Sequence, residues 1–180
     1  MFLYSLLSRL RGEVSTEELI RRGLIVGKGF KRLNQVNIDD SHAWLITIGD
    51  NVTLAPRVHI IAHDASTKDY LGYTKIGRVT IGNRVFVGAE SVILLGVTIG
   101  SDVIIGANST VTHDIPDGMV AVGSPAKVIC TTEEYINKER ERMKSSPVYG
   151  VDYTMRGNIT KEKKREQKSK LANGIIGYVD

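Results

Sequence analysis

An aliphatic residue recurs at every sixth position in the middle of this chain. The six residues are Ile81, Val87, Ile93, Ile99, Ile105 and Val111. A period of six matches neither the about 3.6 residues of a helical turn nor the simple alternation of a β-strand. It predicts a chain that turns a corner every six residues and points one aliphatic side chain inward from each flat face. Three such faces close a triangular coil, so the pattern predicts an all-β solenoid.

The residues around this period support the same interpretation. Glycine directly follows four of the six aliphatic residues, and a second small or β-branched residue comes four positions after each of the six. These second residues are Val85, Ser91, Val97, Val103, Ser109 and Ile115. Asn83, Asp102 and Asn108 fall at the expected corners, where such residues tolerate a positive φ or satisfy backbone groups locally.

The period also divides the chain into segments. We expect an N-terminal helical segment over residues 1–23, the solenoid domain over 24–130 and a C-terminal helical extension over 131–180. A polar, non-periodic stretch interrupts the solenoid, which predicts a loop over 62–75. The charged segment 161–171 is predicted to be a helix or a solvated arm. Its Glu and Lys residues recur at helical spacing, which supports the helix.

The charge and cysteine content narrow the possible functions. The net charge is +4 with a pI of about 9.2, but no base-stacking aromatic residues are interleaved with the charges of the tail, so nucleic acid is not expected. Cys130 is the single cysteine, which favours a reducing compartment. The apolar patches of residues 1–10 are too short to span a bilayer. We therefore expect a cytoplasmic protein. Contact of its N-terminus with a membrane or a partner stays an open alternative.

The interruption of the solenoid is where chemistry is expected, because loops on a rigid scaffold carry sites. The loop opens with His63-Asp64, and histidine is the side chain best suited to general base catalysis near neutral pH. The alternative is a solvent-facing histidine beside an aspartate.

Three motifs in order carry a resemblance to a known family. They are the segment Leu54–Ile60 with the sequence LAPRVHI, the loop with His63 and its following repeats, and the ending that runs from Ile115-Pro116-Asp117 to Gly123-Ser124-Pro125-Ala126-Lys127. Together they resemble the hexapeptide-repeat acetyltransferases, and within them the maltose and galactoside O-acetyltransferases and polysaccharide O-acetyltransferases. The resemblance covers about residues 24–130.

This resemblance implies a fold, a reaction and an assembly. It implies a left-handed parallel β-helix, homotrimers with active sites between subunits, and acetyl-CoA as donor substrate. It implies transfer of acetyl to a hydroxyl of a sugar or glycan, with His63 as the general base, and no metal is expected. In such a mechanism a backbone N–H would stabilise the oxyanion.

The resemblance also implies binding residues. The coenzyme contacts of the family align with Ala89, Ala107, Thr112, His113, Lys127 and Cys130. The family often has lysine at His113 and arginine at Cys130, so the phosphate contacts are expected to differ here. On the acceptor side the candidates are Asn34, Asp40, Trp44 and Tyr70. Arg32 stands where the family usually has asparagine, which predicts an acceptor other than a simple galactoside. Glu90 is either an orienting carboxylate or a solvated one.

Three alternatives stay open at this stage. The γ-class carbonic anhydrases share this solenoid and bind zinc through three histidines, but the chain shows no convincing third ligand beside His59 and His63. A xenobiotic acetyltransferase would share the chemistry and differ in its acceptor. A non-catalytic trimeric scaffold would keep the solenoid without the reaction.

Overall fold

The computed structural model describes residues 14–180 and shows three sheets of short strands. The first sheet, sheet A, contains β1 (Ile25–Val26), β4 (Ile46–Ile48), β9 (Val79–Ile81) and β12 (Thr98–Ile99). Sheet B contains β2 (Lys31–Arg32), β5 (Thr53–Leu54), β10 (Phe86–Val87), β13 (Ile104–Ile105), β15 (Met119–Val122) and β16 (Lys127–Thr131). Sheet C contains β3 (Asn37–Ile38), β6 (His59–Ile60), β11 (Val92–Ile93) and β14 (Thr110–Val111).

The chain visits these sheets in turn, and neighbouring strands within each sheet are parallel. In sheet C, for example, Ile38 lies beside Ile60 and Ile93 lies beside Val111. Only the pair of β15 and β16 runs antiparallel within the three sheets. This order confirms the parallel sheets that the family resemblance implies.

The core is the column of inward-facing aliphatic side chains. All six residues of the period are buried, and so are the six second residues that follow them. Burying an isoleucine or valine side chain contributes about 1.5–3 kcal/mol, so a stack of such residues supplies the main stabilisation of the sheets. Ser91 and Ser109 are the polar members of the column, and the Ser91 hydroxyl donates to the Gly106 carbonyl at 2.9 Å.

The corners depend on residues that adopt the left-handed region. Asp102 and Asn108 have φ of 59° and 55°. At a neighbouring corner Arg84 has the positive φ, and it pairs with Asp102 of the next turn at 2.6 Å. Asn83 instead satisfies a backbone group, because its side-chain oxygen accepts from the Asp50 N–H at 2.8 Å. The predicted corner residues therefore act in both of the expected ways.

The N-terminal prediction falls partly outside the described residues. Helix α1 (Thr16–Arg21) begins after Ser15, whose hydroxyl caps the helix by accepting from the Glu18 N–H at 3.2 Å. Leu19 of this helix is fully buried in the core. The rest of the predicted helical segment, residues 1–13, lies outside the described part of the chain.

An excursion leaves the sheets between Ala62 and Gly77. It is a pair of antiparallel strands, β7 (His63–Asp64) and β8 (Lys75–Ile76), joined by a 3₁₀ turn (Ala65–Thr67) and the short helix α2 (Lys68–Leu71). The excursion thus begins at the histidine that the sequence singles out.

Residues 133–180 form a second compact unit. It contains most of helix α3 (Thr132–Met143), the parallel pair β17 (Val148–Tyr149) and β18 (Tyr178–Val179), and helix α4 (Lys161–Lys170). Lys170 pairs with Glu166 at 2.7 Å, at the helical spacing seen in the sequence. Among the described residues, no helix has the length and apolar character needed to cross a membrane.

Candidate active site

The centre of the candidate site is a hydrogen bond between a histidine and a buried carboxylate. His63 Nδ1 lies 2.5 Å from Asp39 Oδ2. The Asp39 side chain is only 2% exposed, whereas 39% of the His63 side chain remains exposed. The pair therefore joins a carboxylate fixed inside the protein to an imidazole that reaches the surface.

Local strand pairing brings the two residues together although they are 24 positions apart. Asp39 directly follows β3 and donates its backbone N–H to the Ile60 carbonyl at the end of β6, at 2.9 Å. Two residues after Ile60 the chain turns outward through Ala62 into β7, which begins at His63. The pairing of β3 with β6 thus places Asp39 beside the residues that lead into His63.

Backbone N–H groups hold the carboxylate in place. Ala62 N–H donates to Asp39 Oδ2 at 2.9 Å, and the N–H groups of Ser41 and His42 donate to Oδ1 at 3.1 and 3.2 Å. Burial acts to raise the pKa of Asp39, but the hydrogen bonds from His63 and from the backbone outweigh it and hold the pKa below its usual value. Asp39 is therefore an anion at neutral pH.

An anionic Asp39 determines which nitrogen of His63 carries the proton. A carboxylate can only accept, so the neutral imidazole donates from Nδ1 and leaves the Nε2 lone pair free. This is the arrangement of a general base oriented by a carboxylate.

A cleft of about 280 Å³ lies beside the pair. Its lining residues are Asn37, Asp39, Asp40, His59, Ile60, Ile61 and His63. Asp40 is held by Arg22 at 2.8 Å, and Arg22 is also held by Glu18 at 3.0 Å. The cleft thus offers amide and carboxylate groups next to the histidine, which suits a ligand rich in hydroxyl groups.

A second histidine, His42, lies next to His63. The ring of His42 lies 5.2 Å from the ring of His63 and 5.2 Å from that of Trp44. His42 Nδ1 is buried and has no hydrogen-bond partner. Asp39, His42 and His63 each offer one ligand atom within 4.8 Å of the others, which makes them the group in the described chain that could hold a metal ion.

The predicted acceptor residues lie at different distances from this centre. Asp40 lines the cleft. Trp44 is 57% exposed with its ring 5.2 Å from that of His42, and Tyr70 is 88% exposed on the short helix of the excursion. Asn34 is exposed at a corner, where its carbonyl accepts from the Arg57 N–H at 3.0 Å. The contacts of Asn34, Trp44 and Tyr70 do not place them in the cleft, so their role stays a prediction.

Arg32, the departure from the family, and Glu90, the possible orienting carboxylate, both have contacts within the chain. The Arg32 guanidinium donates to the backbone carbonyls of Val36 and Val14, at 2.6 and 2.8 Å. Glu90 forms an ion pair with Arg57 across a corner. The structure therefore gives Glu90 an arginine as its neighbour within the chain.

The predicted coenzyme residues lie in the turns and strands that follow β10. Ala89 and Ala107 occupy equivalent corners of successive turns, and the Asn108 N–H donates to the Ala89 carbonyl at 2.8 Å. The Thr112 hydroxyl and His113 Nδ1 are 2.8 Å apart just after β14. Lys127 begins β16 and is exposed, whereas Cys130 is half-buried on the same strand, opposite Val120. The coenzyme role of these residues remains a prediction.

Asp39 was not among the sequence candidates, although one signal points to it. It directly follows the inward-facing Ile38, and four of the aliphatic residues of the clean repeat are followed by glycine instead. A charge at that position has to be buried against the next turn, which requires a partner. The neighbouring Asp40 is the candidate that the family resemblance implies.

Comparison with known proteins gives consistent results. The hexapeptide repeat of succinyl-transferase matches residues 78–113. The chain is similar to protein CapG of Staphylococcus aureus, with 37% identity over 162 residues that cover 87% of this chain and 90% of the relative. Against the next two relatives, the chain spans only 54% and 52% of their length.

Two solved structures are similar as well. A maltose O-acetyltransferase from Clostridium difficile 630 is 32% identical, with a TM-score of 0.53, over 71% of this chain and 83% of the relative. A hexapeptide-repeat-containing acetyltransferase from Vibrio cholerae O1 biovar eltor, solved with acetyl coenzyme A, is 27% identical with a TM-score of 0.56. That match covers 62% of this chain and 61% of the relative.

Proposed function

Because the chain belongs to the hexapeptide-repeat acetyltransferases, we propose that it transfers an acetyl group from acetyl-CoA to a hydroxyl of a sugar or glycan. The observation that carries the proposal is the hydrogen bond between Asp39 and His63 at the edge of a cleft that is also lined by Asn37 and Asp40. It supplies an oriented base next to a space that can hold a hydroxyl-bearing acceptor.

The proposed reaction is a direct transfer. His63 Nε2 takes the proton of the acceptor hydroxyl as the oxygen attacks the thioester carbonyl, and a C–O bond forms. Collapse of the tetrahedral intermediate breaks the C–S bond, and the imidazolium returns its proton to the leaving thiolate. Asp39 remains ionised and stabilises the imidazolium through Nδ1–H. A backbone N–H stabilises the oxyanion.

The acceptor class rests on the composition of the cleft. Asn37 and Asp40 lie beside His63 and can bind hydroxyl groups through an amide and a carboxylate. The similarity to a maltose O-acetyltransferase supports a carbohydrate. A lipid or aromatic acceptor would instead require a mostly apolar pocket. An antibiotic acceptor would require the same base, so an assay with both acceptor classes distinguishes an antibiotic from a glycan.

The donor and the assembly complete the proposal. The similarity to a protein solved with acetyl coenzyme A supports acetyl-CoA as donor, with Ala89, Ala107, Thr112, His113, Lys127 and Cys130 as the candidate contacts. The family similarity also supports a left-handed coil and a homotrimer with sites between subunits. In such a trimer a neighbouring subunit would complete the cleft beside His63, whose ring is still partly exposed in one chain.

The test is a thiol-release assay with acetyl-CoA against a panel of sugars, glycans and one antibiotic. Wild type, His63→Ala and the control Lys144→Ala, a substitution in the second unit, are compared after each is shown to fold by circular dichroism. We expect acceptor-dependent release of CoA that falls about 10²- to 10⁴-fold in His63→Ala, and no such loss in Lys144→Ala.

Equal turnover in wild type and His63→Ala would show that His63 is not the base. Binding of acetyl-CoA without turnover on any acceptor would contradict the proposed acceptor class. Failure to bind acetyl-CoA would favour the non-catalytic scaffold.

A further inference from the structure

The buried nitrogen of His42 is the polar atom at this site that the proposed reaction leaves unused. His42 Nδ1 is buried without a hydrogen-bond partner, although the ring stands next to His63. A buried nitrogen of this kind loses its contact with water and gains nothing in return unless a further group binds to it. The structure around it therefore points to a missing ligand.

The neighbours of His42 are those that a transition-metal ion requires. One ligand atom each from Asp39, His42 and His63 lies within 4.8 Å of the others. Two imidazoles and a carboxylate bind zinc and related divalent ions with at least one position left open. A tetrahedral zinc ion with bonds of about 2.1 Å holds its ligand atoms about 3.4 Å apart. To admit the ion, the His63 ring has to rotate away from Asp39 Oδ2, which now lies 2.5 Å from Nδ1.

The carboxylate is already oriented for such a role. Three backbone N–H groups, from Ser41, His42 and Ala62, hold the two oxygens of Asp39. Hydrogen bonds of this kind fix the direction of a metal ligand and reduce the ordering that accompanies binding. The spacing of Asp39 and His42, three residues apart, places both ligands on one short segment after β3.

We propose that Asp39, His42 and His63 form a binding site for a divalent transition-metal ion of the zinc class, and that the bound ion switches off acetyl transfer. The second half of this inference rests on the proposed function of His63 as a base. The first half concerns binding alone and stands without it.

The switch follows from the tautomer of His63. With no ion bound, Nδ1 carries the proton and donates to Asp39, so Nε2 is free to accept a proton from the acceptor. An ion placed between Asp39 and His63 binds the Nδ1 lone pair, and the ring proton then resides on Nε2. The charge of the ring does not change and no proton is released, but Nε2 no longer has a lone pair for the acceptor hydroxyl.

Calorimetric titration of the full chain with Zn²⁺, after removal of metals with a chelator, tests the binding. We expect one ion per chain in wild type, and in His42→Gln and His42→Phe a loss of affinity larger than the about 10- to 100-fold that removal of an outer-shell partner costs. The phenylalanine variant keeps an aromatic ring against Trp44, so it separates loss of the ligand from loss of packing. His59→Gln is the matched control, because His59 lines the cleft but is not one of the three ligands.

Co²⁺ absorption provides a second reading that does not depend on turnover. We expect the visible bands of a four- or five-coordinate site in wild type and His59→Gln, and their loss in both His42 variants. Equal zinc affinity in folded wild type and folded His42 variants would overturn the site, and so would the absence of zinc binding by wild type.

Turnover with and without Zn²⁺ tests the switch. We expect zinc to inhibit wild type, a chelator to restore the rate, and His42→Phe to require more zinc for the same fractional inhibition. Zinc that binds through His42 without lowering the turnover of wild type would overturn the switch. If no acceptor is turned over, the proposed function fails while calorimetry and Co²⁺ absorption still decide the metal site.

Discussion

Asp39 Oδ2 lies 2.5 Å from His63 Nδ1, and the same oxygen accepts the N–H of Ala62, the residue that precedes the histidine. One carboxylate oxygen therefore fixes both the backbone from which the histidine emerges and the orientation of its ring. A change at Asp39 affects the position and the tautomer of His63 together.

The first prediction concerns Asp39→Asn. The amide can present an N–H group to Nδ1, which favours the tautomer with the proton on Nε2 and removes the base. We expect kcat to fall about 10²- to 10⁴-fold, measured by release of CoA with the best acceptor. Asp40→Asn is the matched control, because Asp40 is the adjacent carboxylate but pairs with Arg22. A smaller loss of kcat in Asp39→Asn than in Asp40→Asn would contradict this assignment.

Asp39 also shows why sequence analysis found one half of the site. A histidine at the start of a coil-breaking loop is visible as a break in the six-residue period, so His63 could be selected from the sequence. Asp39 lies 24 positions away, and only the pairing of β3 with β6 brings it to the histidine. The family motif matches the neighbouring Asp40 instead.

The fold was more predictable than the site for a physical reason. The period from Ile81 to Val111 reports inward-facing positions directly, because each turn repeats the same geometry, and all six residues are buried. The segment 133–180 has no such repeat, and its own compact unit rests on particular contacts such as the bond from Tyr153 to Glu166. Contacts of that kind produce no periodic pattern in a sequence.

The second prediction tests the core with two adjacent isoleucines of β13. Ile105 is fully buried in the column, whereas its neighbour Ile104 points to the other face and is only partly buried. We expect Ile105→Ala to lower the free energy of unfolding by about 2–5 kcal/mol and Ile104→Ala to lower it by less. Urea denaturation measures both. Equal losses would mean that the inward face of this strand is assigned wrongly.

The third prediction concerns the ion pair at the base of the excursion. Lys75 lies 2.5 Å from Asp64 and, together with the Ser66 N–H, lowers the pKa of Asp64 to about 2. The pKa is depressed relative to the unfolded chain, so the stabilising contribution is present above about pH 3.8 and is lost as the pH falls toward 2. A carboxyl titration by NMR measures this pKa. We expect Lys75→Gln to move it up toward its usual value, and a pKa unchanged by that substitution would contradict the pairing.

The fourth prediction concerns Tyr153 in the second unit. Its hydroxyl donates to Glu166 Oε2 at 2.6 Å, and this bond, with burial and the charge of Glu166 added, raises the pKa of Tyr153 to about 12. A raised pKa means that the protonated phenol is stabilised in the folded state, so the contribution is complete below about pH 10 and is lost as the pH rises toward 12. Glu166→Gln removes the charge but keeps an acceptor oxygen, and we expect it to lower the pKa of Tyr153.

Ultraviolet absorption of tyrosinate measures this fourth prediction, because ionised tyrosine absorbs at longer wavelength than the neutral phenol. The chain has seven tyrosines, so the signal of Tyr153 is isolated as the difference between wild type and Tyr153→Phe. The same difference is then taken between Glu166→Gln and the double variant. Lys161→Ala serves as the control, because Lys161 lies on the same helix α4 and is not among the main causes of the shift. Titration of Tyr153 near pH 10 in wild type would contradict its hydrogen bond to Glu166. A pKa of Tyr153 that does not change in Glu166→Gln would contradict it as well.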